Sequence, residues 1–276
     1  MSRIKEWEEL TIADNYLFQK VMRNKELCKR LLEKLLRIKI RDITYLVTEK
    51  SVEVSSTQKS VRFDLYLETD EGKVIDVEMQ TLGGSKGVLS KRARYYQAMI
   101  DLDELEKGAE YDELKKTYVI FICTFDPFPD NDMMIYTFTN RCHEKEGLEF
   151  GDETTKIFLN AKGTKGNVGR DMANFLAYVN GSAPKGDFTN EIATEVEKIK
   201  QHDDLKVEYM SFMLEMKRQW REGRAAGKAE GKAEGKAEER LSSVRSLMET
   251  LGLSAEKAMD ALKIFGKERQ EIVALL

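Results

Sequence analysis

Three acidic residues stand close together in the stretch "VRFDLYLETDEGKVIDVEMQ", residues 61–80. Apolar and polar residues alternate on both sides of Asp70-Glu71-Gly72, which predicts two strands joined by a tight turn. A three-residue loop with glycine in its last position is a favoured hairpin connection, and it pairs Thr69 with Lys73. One face of this hairpin is apolar and carries Val61, Phe63, Leu65, Leu67, Ile75, Val77 and Met79.

The opposite face of the hairpin collects the charged side chains. The register set by the turn places Asp64 opposite Glu78, Tyr66 opposite Asp76, and Arg62 opposite Gln80. Directly opposed side chains have Cβ atoms about 4.5–5.5 Å apart, where like charges repel. A divalent cation held between Asp64 and Glu78 would remove that repulsion. The alternative is a solvated face on which Arg62 and Lys73 balance the acids.

The composition limits the other chemistries that the chain could perform. Only two histidines are present among the 276 residues, His143 and His202, which argues against a His-rich zinc site or a Ser-His-Asp triad. A bound metal would therefore need oxygen ligands, and these favour Mg²⁺ or Mn²⁺. The three cysteines, Cys28, Cys123 and Cys142, form no CxxC motif and indicate reduced thiols in a cytoplasm.

Charge and hydropathy indicate a cytoplasmic protein that does not bind membranes. The formal net charge of −4 gives no overall basic field, so any phosphate-binding surface must be local. The first ten residues, "MSRIKEWEEL", lack the apolar core of a secretory signal. No apolar run approaches the roughly 20 residues that span a bilayer.

The elements around the hairpin predict a mixed α/β fold. Asp14 is expected to cap a helix whose apolar residues recur at helical spacing as far as Leu36. The unbroken apolar run at 117–125 predicts a central buried strand. The other predicted elements are a strand at 43–54 with a possible bulge, a Gly/Ser-rich link at 81–87, helices at 88–105, 168–180 and 188–221, and a strand at 133–139.

The tail changes character after residue 220. A four-residue unit, GKAE, recurs in 221–240 without an apolar stripe, and each of its glycines costs a helix roughly 1 kcal/mol relative to alanine. We expect a solvated, marginal helix or a flexible linker there, with a helix–helix contact along the glycines as the alternative. Beyond it, 241–276 predicts two or three short amphipathic helices, with Ser254 as an N-cap. The chain therefore divides into a domain at 1–220, the linker, and a small helical tail.

The acids of the hairpin also resemble a known signature. Asp64 followed by "DVEMQ", which ends in Glu78 and Gln80, resembles the PD-(D/E)XK nuclease motif. More narrowly, the chain is similar to the PD-(D/E)XK family transposases, or recombination-promoting nucleases, in which the final Lys is commonly Gln. The likeness extends to "DNYLFQKVM", "KRARYYQAMI", "KGAEYDELKKTYVI" and the charge-rich tail. It implies a restriction-endonuclease-like α/β core, a mixed central sheet flanked by helices, with a helical C-terminal tail.

The resemblance also implies a function and residue roles. Asp64 and Glu78 would bind Mg²⁺ or Mn²⁺ together with the backbone carbonyl of Met79. Asp76 would be a reserve metal ligand or a hydrogen-bonding neighbour. The implied activity is that of a metal-dependent DNA endonuclease of mobile-element type that hydrolyses phosphodiester bonds.

Two departures from the signature leave a second hypothesis open. Phe63 precedes Asp64 where the motif has Pro, and Gln80 stands where a Lys is usual. A glutamine amide can orient water but cannot neutralise charge. Arg62, Lys91 and Arg92 are the candidates to supply the missing cation and to contact DNA. The alternative function is a catalytically silent DNA-binding or assembly protein that forms homo-oligomers through its C-terminal helices.

Overall fold

The computed structural model describes residues 5–53, 59–81 and 87–276, without the side chain of Ala233. Most of the predicted link at 81–87 and the last residue of the predicted strand at 43–54 lie outside the described residues. The chain divides into two compact units, Met1–Tyr209 and Met210–Leu276. Each unit is described separately.

The first unit begins with two helices where one was predicted. Helix α1 spans Asn15–Met22 and α2 spans Lys25–Leu36, and Asp14 is the N-cap of α1 as expected. The single-helix prediction is wrong because Asn24 adopts an extended conformation between them. Its side chain accepts a hydrogen bond from the backbone N–H of Leu27 at 3.3 Å and so begins a new helix.

A six-stranded mixed sheet forms the centre of this unit. Its strands are β1 Ile43–Val52, β2 Val61–Thr69, β3 Val74–Gln80, β4 Thr117–Cys123, β5 Ile135–Phe138 and β6 Thr154–Asn160. They lie in the order β1-β2-β3-β4-β6-β5. Strands β3, β4 and β6 run parallel to one another, while β1, β2 and β5 pair antiparallel with their neighbours.

The β2–β3 hairpin has the predicted turn. The Thr69 N–H donates to the Lys73 carbonyl at 3.0 Å, and Gly72 has a φ of 72°. The positive φ explains why glycine occupies this position. The predicted pairing of Tyr66 with Asp76 is confirmed. Strand β1 also carries the expected irregularity, a shift in register between Ile43 and Tyr45.

The second half of the sheet contains one strand that the sequence pattern did not reveal. All seven residues of β4 are buried, which confirms the predicted central strand. Strand β6 was missed: its sequence "TTKIFLN" has apolar residues only in its second half, and only its last four residues are buried. Pairing with β4 and β5 therefore decides its conformation more than its own pattern does.

Helices cover both faces of the sheet. Helix α3, Val88–Glu104, follows β3 and packs through Ala93, Tyr96 and Met99 onto Val119 and Phe121 of β4. Helix α1 contacts β2 and β3, and α2 contacts β1. Helices α4, Arg170–Val179, and α5, Asp187–Lys200, pack on each other, on α2 and on α1.

Helix α6, Asp203–Leu251, runs from the first unit into the second. The predicted continuous helix at 188–221 is therefore interrupted between α5 and α6, at Gln201 and His202. The GKAE repeat belongs to α6 and is solvent-exposed at every residue whose side chain is described, which matches the solvated-helix prediction.

The second unit ends in two short helices. Helices α7, Ala255–Ala261, and α8, Gly266–Val273, complete a small core with the end of α6. Ser254 is the N-cap of α7 and accepts a hydrogen bond from the Lys257 N–H. The predicted amphipathic helices are therefore present, and the buried residues that join them are Val244, Ala258, Met259, Ile264 and Ile272.

Candidate active site

The ladder between strands β2 and β3 includes Asp76 but stops before Asp64 and Glu78. Their ladder runs from the Glu68–Val74 pair to the Leu65–Val77 pair. Beyond it, the Asp64 N–H donates to the Glu78 side-chain oxygen Oε1 at 2.8 Å. The expected pairing of Asp64 with Glu78 is thus a backbone-to-carboxylate bond and not a further step of the ladder.

The three carboxylates, Asp64, Asp76 and Glu78, are buried, and we call them the acid cluster. Asp76 and Glu78 have no exposed surface, and Asp64 is 7% exposed. The solvated-face alternative is therefore wrong. The physical reason is tertiary: residues of α1 and α3 reach the acids.

Asp64 is held by donors from two different elements. Its Oδ1 accepts a hydrogen bond from Asn15 Nδ2 on α1 at 2.7 Å and a longer one, of 3.4 Å, from Gln19 Nε2. Its Oδ2 accepts from the Met79 N–H of β3 at 3.1 Å. Burial raises the pKa of Asp64, while these hydrogen bonds oppose the rise.

Glu78 is ion-paired with Arg92, which reaches it from the first turns of α3. Arg92 Nη2 lies 2.6 Å from Glu78 Oε2 and 2.5 Å from the Tyr96 hydroxyl, and Nη1 donates to Gln80 Oε1 at 2.8 Å. Burial and the Asp64 carboxylate raise the pKa of Glu78 to about 8, against the opposing effect of Arg92. The guanidinium also lies over the rings of Tyr96 and Phe121.

Asp76 is the member of the cluster without a hydrogen bond. It is fully buried, and neither of its carboxylate oxygens has a partner in the structure. Burial, followed by the negative charges of Glu78 and Asp64, raises its pKa well above the usual range. An ionised carboxylate in this place needs a positive partner.

The remaining predicted site residues occupy different environments. Gln80 is half-buried, and its Nε2 donates to the Met79 carbonyl at 3.2 Å. Lys91 is exposed on α3. Arg62 is exposed on β2 and lies 4.0 Å from Glu49. Of the three candidate cations, Arg92 is the one in direct contact with the acid cluster.

The donor set suits a hard divalent cation. Carboxylate and carbonyl oxygens are the ligands that Mg²⁺ and Mn²⁺ prefer, and Asp76 offers two oxygens that accept no hydrogen bond from any described residue. In the ranges that the structure covers, no three His, Cys, Asp or Glu side chains are already arranged as a metal site.

A helix preceding the sheet, a hairpin with buried acids, and parallel strands beyond it define a PD-(D/E)XK-type α/β fold. A family model described as PD-(D/E)XK nuclease family transposase matches residues 14–173. The chain belongs to this family, whose nuclease character implies a DNA substrate and whose members generally use divalent metals. No curated protein and no solved structure matches the chain.

Three residues that contact the acid cluster or its ion-pair partner were not singled out as site residues from the sequence. These are Asn15 and Gln19, which bond to Asp64, and Tyr96, which bonds to Arg92. The signal available was spacing: Asn15 and Gln19 are four residues apart on α1, and so are Arg92 and Tyr96 on α3. Residues four apart share a helix face.

No helix in the described part of the chain is long and apolar enough to cross a membrane.

Proposed function

We propose that this protein is a metal-dependent DNA endonuclease of mobile-element type that hydrolyses phosphodiester bonds. The observation that carries the proposal is the buried Asp76 carboxylate, whose oxygens have no hydrogen-bond partner among the described residues, beside Asp64 and Glu78. Among the described residues, the three acids share the ion-paired guanidinium of Arg92, so ionisation of all three would leave the site with an excess of negative charge. A divalent cation is the simplest compensation for that charge.

Asp64, Glu78 and the backbone carbonyl of Met79 would hold Mg²⁺ or Mn²⁺, with Asp76 as a further ligand. The ion would supply charge stabilisation at the phosphate and activation of the attacking water. Binding requires rearrangement of two existing contacts, since Arg92 bonds to Glu78 and Gln80 bonds to the Met79 carbonyl. These contacts are between flexible side chains and fixed acceptors, so they can rearrange without unfolding an element.

Arg92 is the residue that we propose in place of the usual lysine. Its guanidinium bridges Glu78 and Gln80, which brings a positive charge to the position where the motif normally has one. Gln80, held by Arg92 through Oε1, is proposed to orient the attacking water. Arg62 and Lys91 are exposed and are proposed to contact the phosphate backbone of DNA, an interaction that weakens as salt increases.

The catalytically silent alternative has its own support. In the structure, both oxygens of Glu78 and both oxygens of Asp64 are engaged by donors of the protein itself. A protein in which these bonds persist would retain the fold and bind DNA without cleaving it.

The test is nicking of a supercoiled plasmid by the purified full-length protein with Mg²⁺, Mn²⁺ or EDTA. We expect cleavage that requires the cation and falls by at least about 100-fold in Asp64→Asn and in Glu78→Gln. Asp112→Asn is the matched control, because Asp112 is exposed, and its activity should equal that of the wild type.

A Gln80→Lys variant separates the two functions. In an enzyme, the lysine restores the usual motif, so the nicking rate should be preserved or raised, while the added cation competes with the metal and weakens its binding. A protein that binds DNA but nicks none under Mn²⁺, with Gln80→Lys equally inactive, would show that the silent alternative is correct.

A further inference from the structure

We infer that Asn15 and Gln19 of α1 are positioning residues that fix the Asp64 carboxylate for cation binding. The inference rests on the proposed function and extends it to a helix 49 residues away from Asp64 in the sequence. The β2–β3 hairpin by itself does not indicate that residues of α1 bond to Asp64.

The contacts form a chain of amides that ends on the carboxylate. Gln19 Nε2 donates to Asn15 Oδ1 at 2.9 Å, and Asn15 Nδ2 donates to Asp64 Oδ1 at 2.7 Å. The direct bond from Gln19 to Asp64 is longer, at 3.4 Å. Gln19 is 5% exposed, so its amide is committed to this network and not to solvent. Gln19 therefore acts mainly by orienting Asn15.

The geometry restrains the carboxylate on two sides. Asn15 holds Oδ1 from α1, and the Met79 N–H holds Oδ2 from β3. A carboxylate oxygen can accept two bonds, so Oδ2, which accepts one, retains capacity for an ion. The donors are neutral amides, which stabilise the negative charge without cancelling it. A cation therefore meets an acid whose orientation and charge are already set.

A purely structural role is the competing explanation, because the same bonds also attach α1 to the sheet. The two roles differ in what they affect. A structural contact changes the melting temperature. A contact that orients a ligand changes metal affinity, typically by 10- to 100-fold for residues that hold metal ligands.

The test is calorimetric titration of the full-length protein with Mn²⁺ alone, alongside thermal melting and plasmid nicking. Asn15→Ala should weaken Mn²⁺ binding 10- to 100-fold. Gln19→Ala should weaken it less, and the double variant should be no weaker than Asn15→Ala, because Gln19 acts through Asn15. Saturating Mn²⁺ should return the Asn15→Ala nicking rate to within a few-fold of the wild-type rate.

Asn24→Ala is the matched control, since Asn24 also makes one side-chain bond, to the Leu27 N–H, but at the start of α2. It should lower the melting temperature and leave Mn²⁺ affinity unchanged. Asn15→Ser retains a hydroxyl donor and provides a milder variant, with Mn²⁺ affinity between those of wild type and Asn15→Ala.

If Asn15→Ala melts lower but binds Mn²⁺ as tightly as wild type, the inference is wrong and the proposed function stands. If the double variant loses as much Mn²⁺ affinity as the two single variants together, Gln19 does not act through Asn15. Wild-type protein that neither binds Mn²⁺ nor nicks plasmid would overturn the proposed function, and the positioning role with it.

Discussion

At the residue scale, the acid cluster is a source of instability in the metal-free protein. Its three members have raised pKa values because they are buried; the charge of Asp64 raises the pKa of Glu78 further, and the charges of Glu78 and Asp64 raise that of Asp76. A group whose pKa is higher in the folded state than in the unfolded state binds a proton on folding. Its contribution to stability is complete below the unfolded pKa, near 4, and is lost as the pH rises through the folded pKa.

The metal-free protein should therefore lose stability as the pH rises above about 4 and through the folded pKa of Glu78, about 8. Asp76→Asn removes one of these groups and its repulsion of Glu78. We expect a shallower pH dependence and a higher free energy of unfolding at pH 8, because burial and the neighbouring negative charges raise the pKa of Asp76.

Urea unfolding in EDTA between pH 5 and pH 8.5 measures both quantities. The exposed Asp112→Asn substitution is the control and should leave the slope unchanged. Equal slopes for wild type and Asp76→Asn would mean that Asp76 is ionised in the folded protein throughout this range, so that its pKa is not raised.

At the scale of elements, the turn between β2 and β3 determines where the acids stand. Gly72 has a φ of 72°, and a Cβ there would meet nothing within 4 Å. A side chain at this position is therefore disfavoured by the backbone conformation and not by crowding. The turn fixes the register that pairs Tyr66 with Asp76 and brings Glu78 to Asp64.

Gly72→Ala should lower the free energy of unfolding of the first unit by about 1 kcal/mol, the cost of a left-handed conformation for alanine. Gly231→Ala is a matched control, because a Cβ there also meets nothing, but the residue is helical. It should increase the helical signal at 222 nm, since alanine favours a helix by about 1 kcal/mol over glycine. A destabilisation by both variants would contradict the role given to the turn.

At the scale of the whole molecule, residues from the start of α6 pack against the N-terminal residues of the first unit. The Tyr209 hydroxyl donates to the Lys5 carbonyl at 2.9 Å, and its ring packs against those of Trp7 and Tyr16. Ten residues further on, at Gln219, side chains are exposed, and the GKAE repeat that follows has no apolar face. The domain boundary near residue 220 remains a prediction, as does a homo-oligomer formed through the C-terminal helices.

Truncation after Gln219 should leave a domain that melts cooperatively, because it retains Tyr209. Truncation after Gln201 is the contrasting variant: it removes Tyr209 and the Leu205 carbonyl that accepts a bond from Tyr16, and should lower the melting temperature by several degrees. Calorimetry of both fragments provides the measurement. An insoluble or non-cooperative fragment ending at Gln219 would place the boundary elsewhere.

The sequence by itself determined the local features of this protein. The hairpin, its three-residue turn, the caps at Asp14 and Ser254, and the buried strand β4 were all predicted. Each depends on residues adjacent in the chain, through side-chain periodicity, a positive φ, the extended conformation of Asp14 before α1 or, at Ser254, a capping hydrogen bond. The resemblance to the family was carried in the same way by short motifs, and the match over 14–173 confirms it.

Only the tertiary structure decided the environment of the acids. Periodicity assigns Asp64, Asp76 and Glu78 to a face, but it cannot say that α1 and α3 cover them, so an exposed face remained possible. The bonds from Asn15 and Arg92 join elements far apart in the chain. Strand β6 was missed because its local sequence pattern is weak and long-range pairing with β4 decides its conformation. The break at Asn24 was missed because a single capping hydrogen bond interrupts a strong helical pattern.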